Sequence, residues 1–160
     1  MIRDKKCERS ILNCNMLKVG TSGYSFKDWV GTVYPRSLKP AEYLPYYEKE
    51  LGFKTLEINY TYYRPPTAKV LSNMSEKTSD KFDFIVKAYK DMTHNLKRKN
   101  NYIEPDIEIF KSFTGALKPL VEDRKLGGVL AQFPYSFHPT RENALYLKLF
   151  KELMGLSLIH

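Results

Sequence analysis

The sequence predicts an α/β fold built on parallel strands. Two observations point there. Strand-like and helix-like patterns alternate through four successive units. The 160 residues also suit a single domain with a core of its own, in a composition well inside the globular range.

In chain order, "LKVGTSG" (17–23) is a short strand that ends in turn residues. "PAEYLPYYEKELG" (40–52) has helical character and closes on a glycine, as helix C-termini commonly do; Pro45 must sit in its first turn or kink it. "KTLEIN" (54–59) alternates with period two and forms the second strand. "PTAKVLSNMSEKTS" (66–79) opens with proline and threonine, a helix start, and places Val70, Leu71 and Met74 on one side. "FDFIVKA" (82–88) is the third strand. The stretch from Glu104 to Gly127 repeats apolar residues at Ile107, Phe110, Phe113, Leu117, Leu120 and Val121, which is helical spacing, although Gly115 and Pro119 weaken its second half. "GGVLAQFP" (127–134) is the fourth strand, opened by glycines and closed by proline. "TRENALYLKLFKELMG" (140–155) is the last helix, with Leu145, Leu149 and Leu153 at four-residue intervals.

The formal net charge is +8, spread over both halves with no basic tail. Such an excess suits a polyanionic partner, a phosphorylated small molecule or nucleic acid, and equally suits an ordinary solubility charge. Cys7 and Cys14 stand alone in a charged leader, with no second pair to complete a zinc site, and read as reduced thiols. Residues 1–16 are expected to be a flexible leader ahead of a domain over 17–160. The leader lacks the apolar core of a signal peptide, and no run is long enough to cross a membrane, so the expected address is cytoplasmic with no membrane partner.

In parallel α/β folds ligands bind where the strands end, because the strand-to-helix loops converge there. The polar residues at the four expected ends are Thr21 and Ser22, Glu57 and Asn59, Lys87, and Gln132. Alternation puts Glu57 and Asn59 opposite Leu56 and Ile58, on a poorly solvated face where a carboxylate needs a partner. Lys87 is the expected partner. Two readings of that pair stand: a catalytic or ligand-orienting couple, or a structural ion pair that closes the pocket floor. Gln132 has the same two readings, as ligand contact or as partner to backbone groups.

Aromatic rings recur after three strands: Tyr24, Phe26 and Trp29; Tyr60, Tyr62 and Tyr63; Phe133, Tyr135 and Phe137. As a group they suit stacking of bases or sugars, with Arg64, Lys27 and Lys90 placed to meet phosphates; singly, each ring suits core packing. His94 follows the third strand beside the basic run Lys97, Arg98 and Lys99, and is either an acid/base near neutral pH or a loop residue. The run itself reads as a solvated turn, with phosphate binding as the alternative. The three histidines have no metal-ligand spacing, and no phosphate-cradling glycine loop, nucleophile elbow or dinucleotide fingerprint is present, so no metal or cofactor is named.

Four collinear stretches, "VGTSGYSFKDWVGTVYP", "LEINYTYYRPP", "FDFIVKAYKDMTH" and "VLAQFPYSF", together resemble the YecE-like family, domain-of-unknown-function family seventy-two. The resemblance runs from Leu17 to the last helix and implies a TIM-type β/α barrel. Its motifs fall on Gly20, Thr21, Ser22, Gly23, Trp29, Glu57, Asn59, Tyr63, Lys87, Thr93, His94, Gln132, Phe133 and Pro134. It implies a fold and a site location, and no reaction. A complete barrel has eight strands and about 250 residues, so this chain resembles the first half, truncated to about four strand–helix units. The family's next acidic, arginine-containing strand is missing, although "LSLIH" is a candidate fifth strand. Open sheet edges then imply self-association or poor expression.

Three functions follow as expectations. One is an enzyme on a phosphorylated or nucleotide-like substrate, with Glu57, Lys87 and His94 as catalytic candidates. Its ligand-binding candidates are Ser22, Tyr24, Trp29, Asn59, Tyr63, Arg64, Gln132 and Phe133. The others are a non-catalytic nucleic-acid binder and an inactive fragment of a longer protein.

Overall fold

The alternation of apolar and polar residues decides which strand face is covered by helix. The protein is described from a computed structural model, over residues 17–100 and 102–156. In chain order its elements are β1 (Gly20–Ser22), α1 (Tyr43–Lys49), β2 (Thr55–Ile58), α2 (Tyr60–Tyr63), α3 (Ala68–Ser75), β3 (Asp83–Lys87), β4 (Lys97–Lys99), β5 (Tyr102–Glu104), α4 (Ile107–Glu122), β6 (Leu126–Leu130) and α5 (Arg141–Leu156). Strands β1, β2, β3 and β6 form one sheet in that spatial order, every neighbouring pair parallel. The architecture is therefore mixed α/β: consecutive strands of this sheet are neighbours, each joined to the next through a helical connection.

Leu56, Ile58, Phe84 and Val86 point into the helical layer and are buried against Leu44, Leu71, Phe113 and Leu117. Each full burial of such a side chain contributes about 1.5–3 kcal/mol. The same arithmetic explains why α4 runs through Pro119. A proline inside a helix costs about 3 kcal/mol, whereas Phe110, Phe113, Leu117 and Leu120 on that helix are all buried. Asp106 starts α4 by accepting the Ile109 N–H at 3.4 Å, and Thr67 starts α3 by accepting that of Val70, also at 3.4 Å. Pro45 lies in the first turn of α1, where its missing N–H leaves no helical bond unmade.

Several expectations are corrected. Of the leucines spaced along the last helix, Leu145 is 47% exposed and Leu153 packs against the core half-buried, while the fully inward residues are Asn143, Tyr146 and Phe150. The aromatic rings win that face because they bury more area, and the Tyr146 hydroxyl finds an acceptor in the Met92 carbonyl at 2.8 Å. The fourth strand stops at Leu130, whose carbonyl accepts from Ala88 N–H, rather than running on to Pro134. The basic run is no simple turn. It is strand β4 of an antiparallel hairpin with β5, anchored by Ile103, the single apolar residue in a polar stretch and too sparse a pattern to read as a strand. Leu156 still belongs to α5; the rest of "LSLIH", the leader, Cys7 and Cys14 lie outside the described residues.

Two buried charges tie the helices together. Lys125 is 5% exposed and donates from Nζ to the carbonyls of Ser75 at 2.6 Å and Thr78 at 2.9 Å, while Asp123 accepts from the Ser75 hydroxyl. The turn after α4 thus adds a donor at the end of α3, where the Ser75 carbonyl also accepts from the Thr78 N–H at 3.1 Å. Glu48 of α1 accepts from the Ser79 N–H at 2.8 Å, from the Ser79 hydroxyl and from Lys54. Burial pushes the Glu48 carboxyl up, but the Ser79 hydrogen bonds and then the Lys54 ammonium outweigh it, and it lies below its ordinary value of 4.5.

Replacing Lys125 with Met keeps the stem and removes the donors, so urea denaturation is expected to show a loss of about 1–3 kcal/mol; an unchanged midpoint contradicts the clamp. For Glu48 the folded pKa lies below the unfolded one. Its contribution is therefore full above about pH 4.5 and fades as pH falls through the folded value. Glu48→Gln is expected to be less stable than the native chain at neutral pH, with a shallower loss on acidification. Parallel stability–pH curves for the two proteins are the contrary result.

Candidate functional site

Because Leu56 and Ile58 are drawn into the helical layer, Glu57 between them faces the opposite side of the sheet. The register aligns Ser22 with Glu57 and Glu57 with Ile85, so Ser22, Glu57 and, two residues beyond Ile85, Lys87 share that face. Asn59, just past β2, donates from Nδ2 to the Ser22 hydroxyl and joins the ends of β1 and β2. On its β1 side the β2 ladder ends where Gly23 N–H meets the Glu57 carbonyl at 2.9 Å.

A cavity of about 450 Å³ opens at this point. Ser22, Tyr24, Glu57 and Asn59 line it, together with Tyr60 and Lys77. Residues from both faces of β2 take part, Leu56 and Ile58 as well as Glu57 and Asn59, so the cavity lies around the freed end of the strand. In its walls the Asn59 Oδ1 and Tyr60 hydroxyl oxygens are buried without a hydrogen-bond partner among the described residues. Such atoms are rare in native structures and costly, about 1–3 kcal/mol each. Burial pushes the Tyr24 hydroxyl up and does the same at Tyr60, where Arg64, 5.8 Å from the ring centre, pulls the other way.

The expected ion pair between Glu57 and Lys87 is absent among the described residues. Lys87 instead holds its ammonium 5.2 Å from the centre of the Tyr62 ring. Tyr62 meets His94 edge-on at 5.1 Å, and His94 Nδ1 shares a 2.9 Å hydrogen bond with the Thr93 hydroxyl. Glu57 needs no counter-ion because it is only half-buried and keeps access to water. The strand-end residues therefore form two clusters: Ser22, Tyr24, Glu57 and Asn59 on the cavity, and Lys87, Tyr62, His94 and Thr93 beside β3.

The remaining candidates separate. Phe133 stacks on Phe137 at 4.2 Å, meets Tyr146 and Phe150, and is core packing rather than rim. Trp29 lies between Phe26 and Tyr34, at 5.2 and 5.7 Å, and backs the cavity wall that Phe26 forms. Gln132 is exposed and borders none of the described cavities. Tyr63, 73% exposed, and Arg64 stay at the surface. Asn73 and Lys77 were not singled out by strand-end reasoning because they belong to α3 and the turn after it; the spacing of Val70, Asn73, Met74 and Lys77 along one helical stripe is the signal that marks them.

Two of the three cations of the basic hairpin lie near acidic groups. Lys97 lies opposite Glu104 and 3.9 Å from Asp106, and Arg98 pairs with Glu142 at 2.8 Å and Asn143 at 3.0 Å. Among the described residues no group of three or more His, Cys, Asp or Glu side chains is placed to hold a metal ion, and no helix is long and apolar enough to cross a membrane.

Residues 18–158 match the family described as "Protein of unknown function DUF72". The chain belongs to the DUF72 family. It is 30% identical over 140 residues to the UPF0759 protein YunF of Bacillus subtilis, a match over 88% of this chain and 48% of YunF. A DUF72 family protein from Thermotoga maritima superposes with a TM-score of 0.72 at 41% identity, over 86% of this chain and 52% of that one. One from Enterococcus faecalis gives 0.69 at 25% identity, over 86% and 47%. The DUF72 chain described here thus spans about half the length of the relatives it matches.

In this DUF72 chain one glycine shapes the cavity wall. Gly23 has φ +90°, and a Cβ there meets the Phe26 ring at 2.9 Å. Gly23→Ala is expected to cost about 1–3 kcal/mol in chemical denaturation. A neutral effect contradicts the assigned conformation.

Proposed function

We propose that this chain forms four β/α units of a TIM-type barrel, and that the cavity at the ends of β1 and β2 binds a small phosphorylated, nucleotide-like molecule. The supporting observation is the cavity itself. Its 450 Å³ lies within the range of about 300–1,000 Å³ that suits small-molecule sites, and its lining combines rings, a carboxylate without an ion-pair partner among the described residues, and a cation. Ring faces suit a base or sugar, Glu57 and Asn59 accept from hydroxyl or N–H donors, and Lys77 complements an anion. Glu57 is the group suited to acid/base work, since it lines the cavity with its carboxylate uncommitted.

Nucleic acid is the second reading, favoured by the net charge of +8. The pairing of Lys97 and Arg98 with acidic neighbours weakens it.

Thermal unfolding with a panel of sugar phosphates, nucleoside phosphates and short oligonucleotides tests the proposal. A ligand at a hundred times its Kd contributes about 2.7 kcal/mol, which raises the Tm of a chain this size by about 5–10 °C. Glu57→Gln is expected to abolish or reduce that rise. A shift produced by oligonucleotides alone, with steep salt dependence, replaces the proposal with the second reading; no shift with any compound removes both.

A further inference from the structure

The cavity continues beyond the strand ends. Val70, Asn73 and Met74 of α3 and Lys77 just past it line one side, at the spacing of a single helical stripe. At about 1.5 Å per residue, the step from Val70 to Lys77 covers about 10 Å. A site of that volume is far larger than a bare phosphate ion requires, and its lining holds a carboxylate from β2 and an ammonium from just past α3.

Lys77 makes no ion pair among the described residues. The carboxylate beside it in sequence, Glu76, is turned to the Ser72 hydroxyl at 3.1 Å. Asn73 is exposed, and its side-chain amide has no partner among the described residues. At the strand end Glu57 also lacks an ion-pair partner and repels any anion brought near it. A ligand carrying one anionic group is therefore oriented by charge: the anion goes to Lys77, and the donor groups go to Glu57 and Asn59. Hydroxyl groups of a sugar are suited to the second role, because they donate to a carboxylate and accept from Ser22 or Tyr60. Tyr24 and Phe26 offer ring faces along the way.

We infer that Lys77, assisted by Asn73, forms a phosphate subsite of this cavity, and that the ligand class is a nucleoside monophosphate whose ribose end meets Glu57 and Asn59. The inference rests on the proposed function and adds to it the ligand's polarity and the residue that reads the phosphate.

Isothermal titration of the full chain with the four ribonucleoside 5′-monophosphates, their nucleosides and inorganic phosphate tests it. At least one monophosphate is expected to bind more tightly than its nucleoside, by about tenfold or more for a charge-assisted contact. Lys77→Met is expected to remove that difference while leaving nucleoside affinity unchanged, and Lys77→Arg to restore most of it. Circular dichroism and urea midpoints establish that both variants are folded, as an exposed side chain with no partner predicts. Unchanged monophosphate affinity in Lys77→Met, alongside weakened affinity in Glu57→Gln, overturns the phosphate subsite and keeps the cavity as a binding site. Failure of every compound to bind the native chain overturns both.

Discussion

The structure depends on one constraint: four parallel strands held in register while helices cover a single face of the sheet. Leu56 and Ile58 of β2 and Phe84 and Val86 of β3 enter the helical layer together because their ladder pairs them residue for residue. A slip of one residue in that ladder turns one strand's buried pair outward, Leu56 and Ile58 or Phe84 and Val86, at about 1.5–3 kcal/mol for each side chain. With those four fixed, the residues between them have no choice of side. Glu57 and Lys87 face away from the helices as a consequence of packing, before any chemistry is considered.

The cavity follows from how early β1 ends. Its pairing with β2 stops at Ser22 and Gly23, while β2 continues against β3 to Ile58. The end of β2 is thus open on one side, and the chain after Gly23 folds back with Phe26 over the glycine, so that loop rather than strand forms the outer wall. Asn59 spends its amide on Ser22, which fixes the distance between the two strand ends. Its other polar atom lies in the wall with no partner among the described residues. Local strand length, one glycine and one asparagine account for the position of the site.

Much of this arrangement was legible in the sequence. The order of strands and helices, the placement of Glu57 opposite Leu56 and Ile58, and the grouping of Ser22 with Glu57 and Asn59 all follow from period-two alternation and from strand ends rich in polar residues. What was illegible has physical reasons. The β4–β5 hairpin is hidden because its inward side is a single isoleucine among charges. The inward stripe of α5 is hidden because leucines at four-residue spacing and aromatics at four-residue spacing coexist on one helix, and only packing against Phe110 and Phe133 selects the aromatics. Lys87 and Glu57 look like partners in sequence, since both end strands on one face; the choice of Tyr62 over Glu57 depends on the short α2 turn, which places a ring beside the ammonium. Lys77 reaches the cavity from the turn after α3, which strand-end reasoning does not consult.

The cations of this basic chain divide by how firmly they are held, and that division limits what the site can do. Lys125 is buried and donates to the carbonyls of Ser75 and Thr78. Arg98 is tied to Glu142 and Asn143 and holds the hairpin to α5. Lys87 is held by a ring face alone, an interaction of about 0.5–1 kcal/mol where water has access, and Lys77 makes no ion pair among the described residues. An anion that contributes a charge-assisted hydrogen bond of about 1.5–3 kcal/mol outcompetes the hold on Lys87 and meets none at Lys77. Lys97 and Arg98 of the hairpin thus lie close to acidic groups, while Lys77 and Lys87 make no ion pair among the described residues.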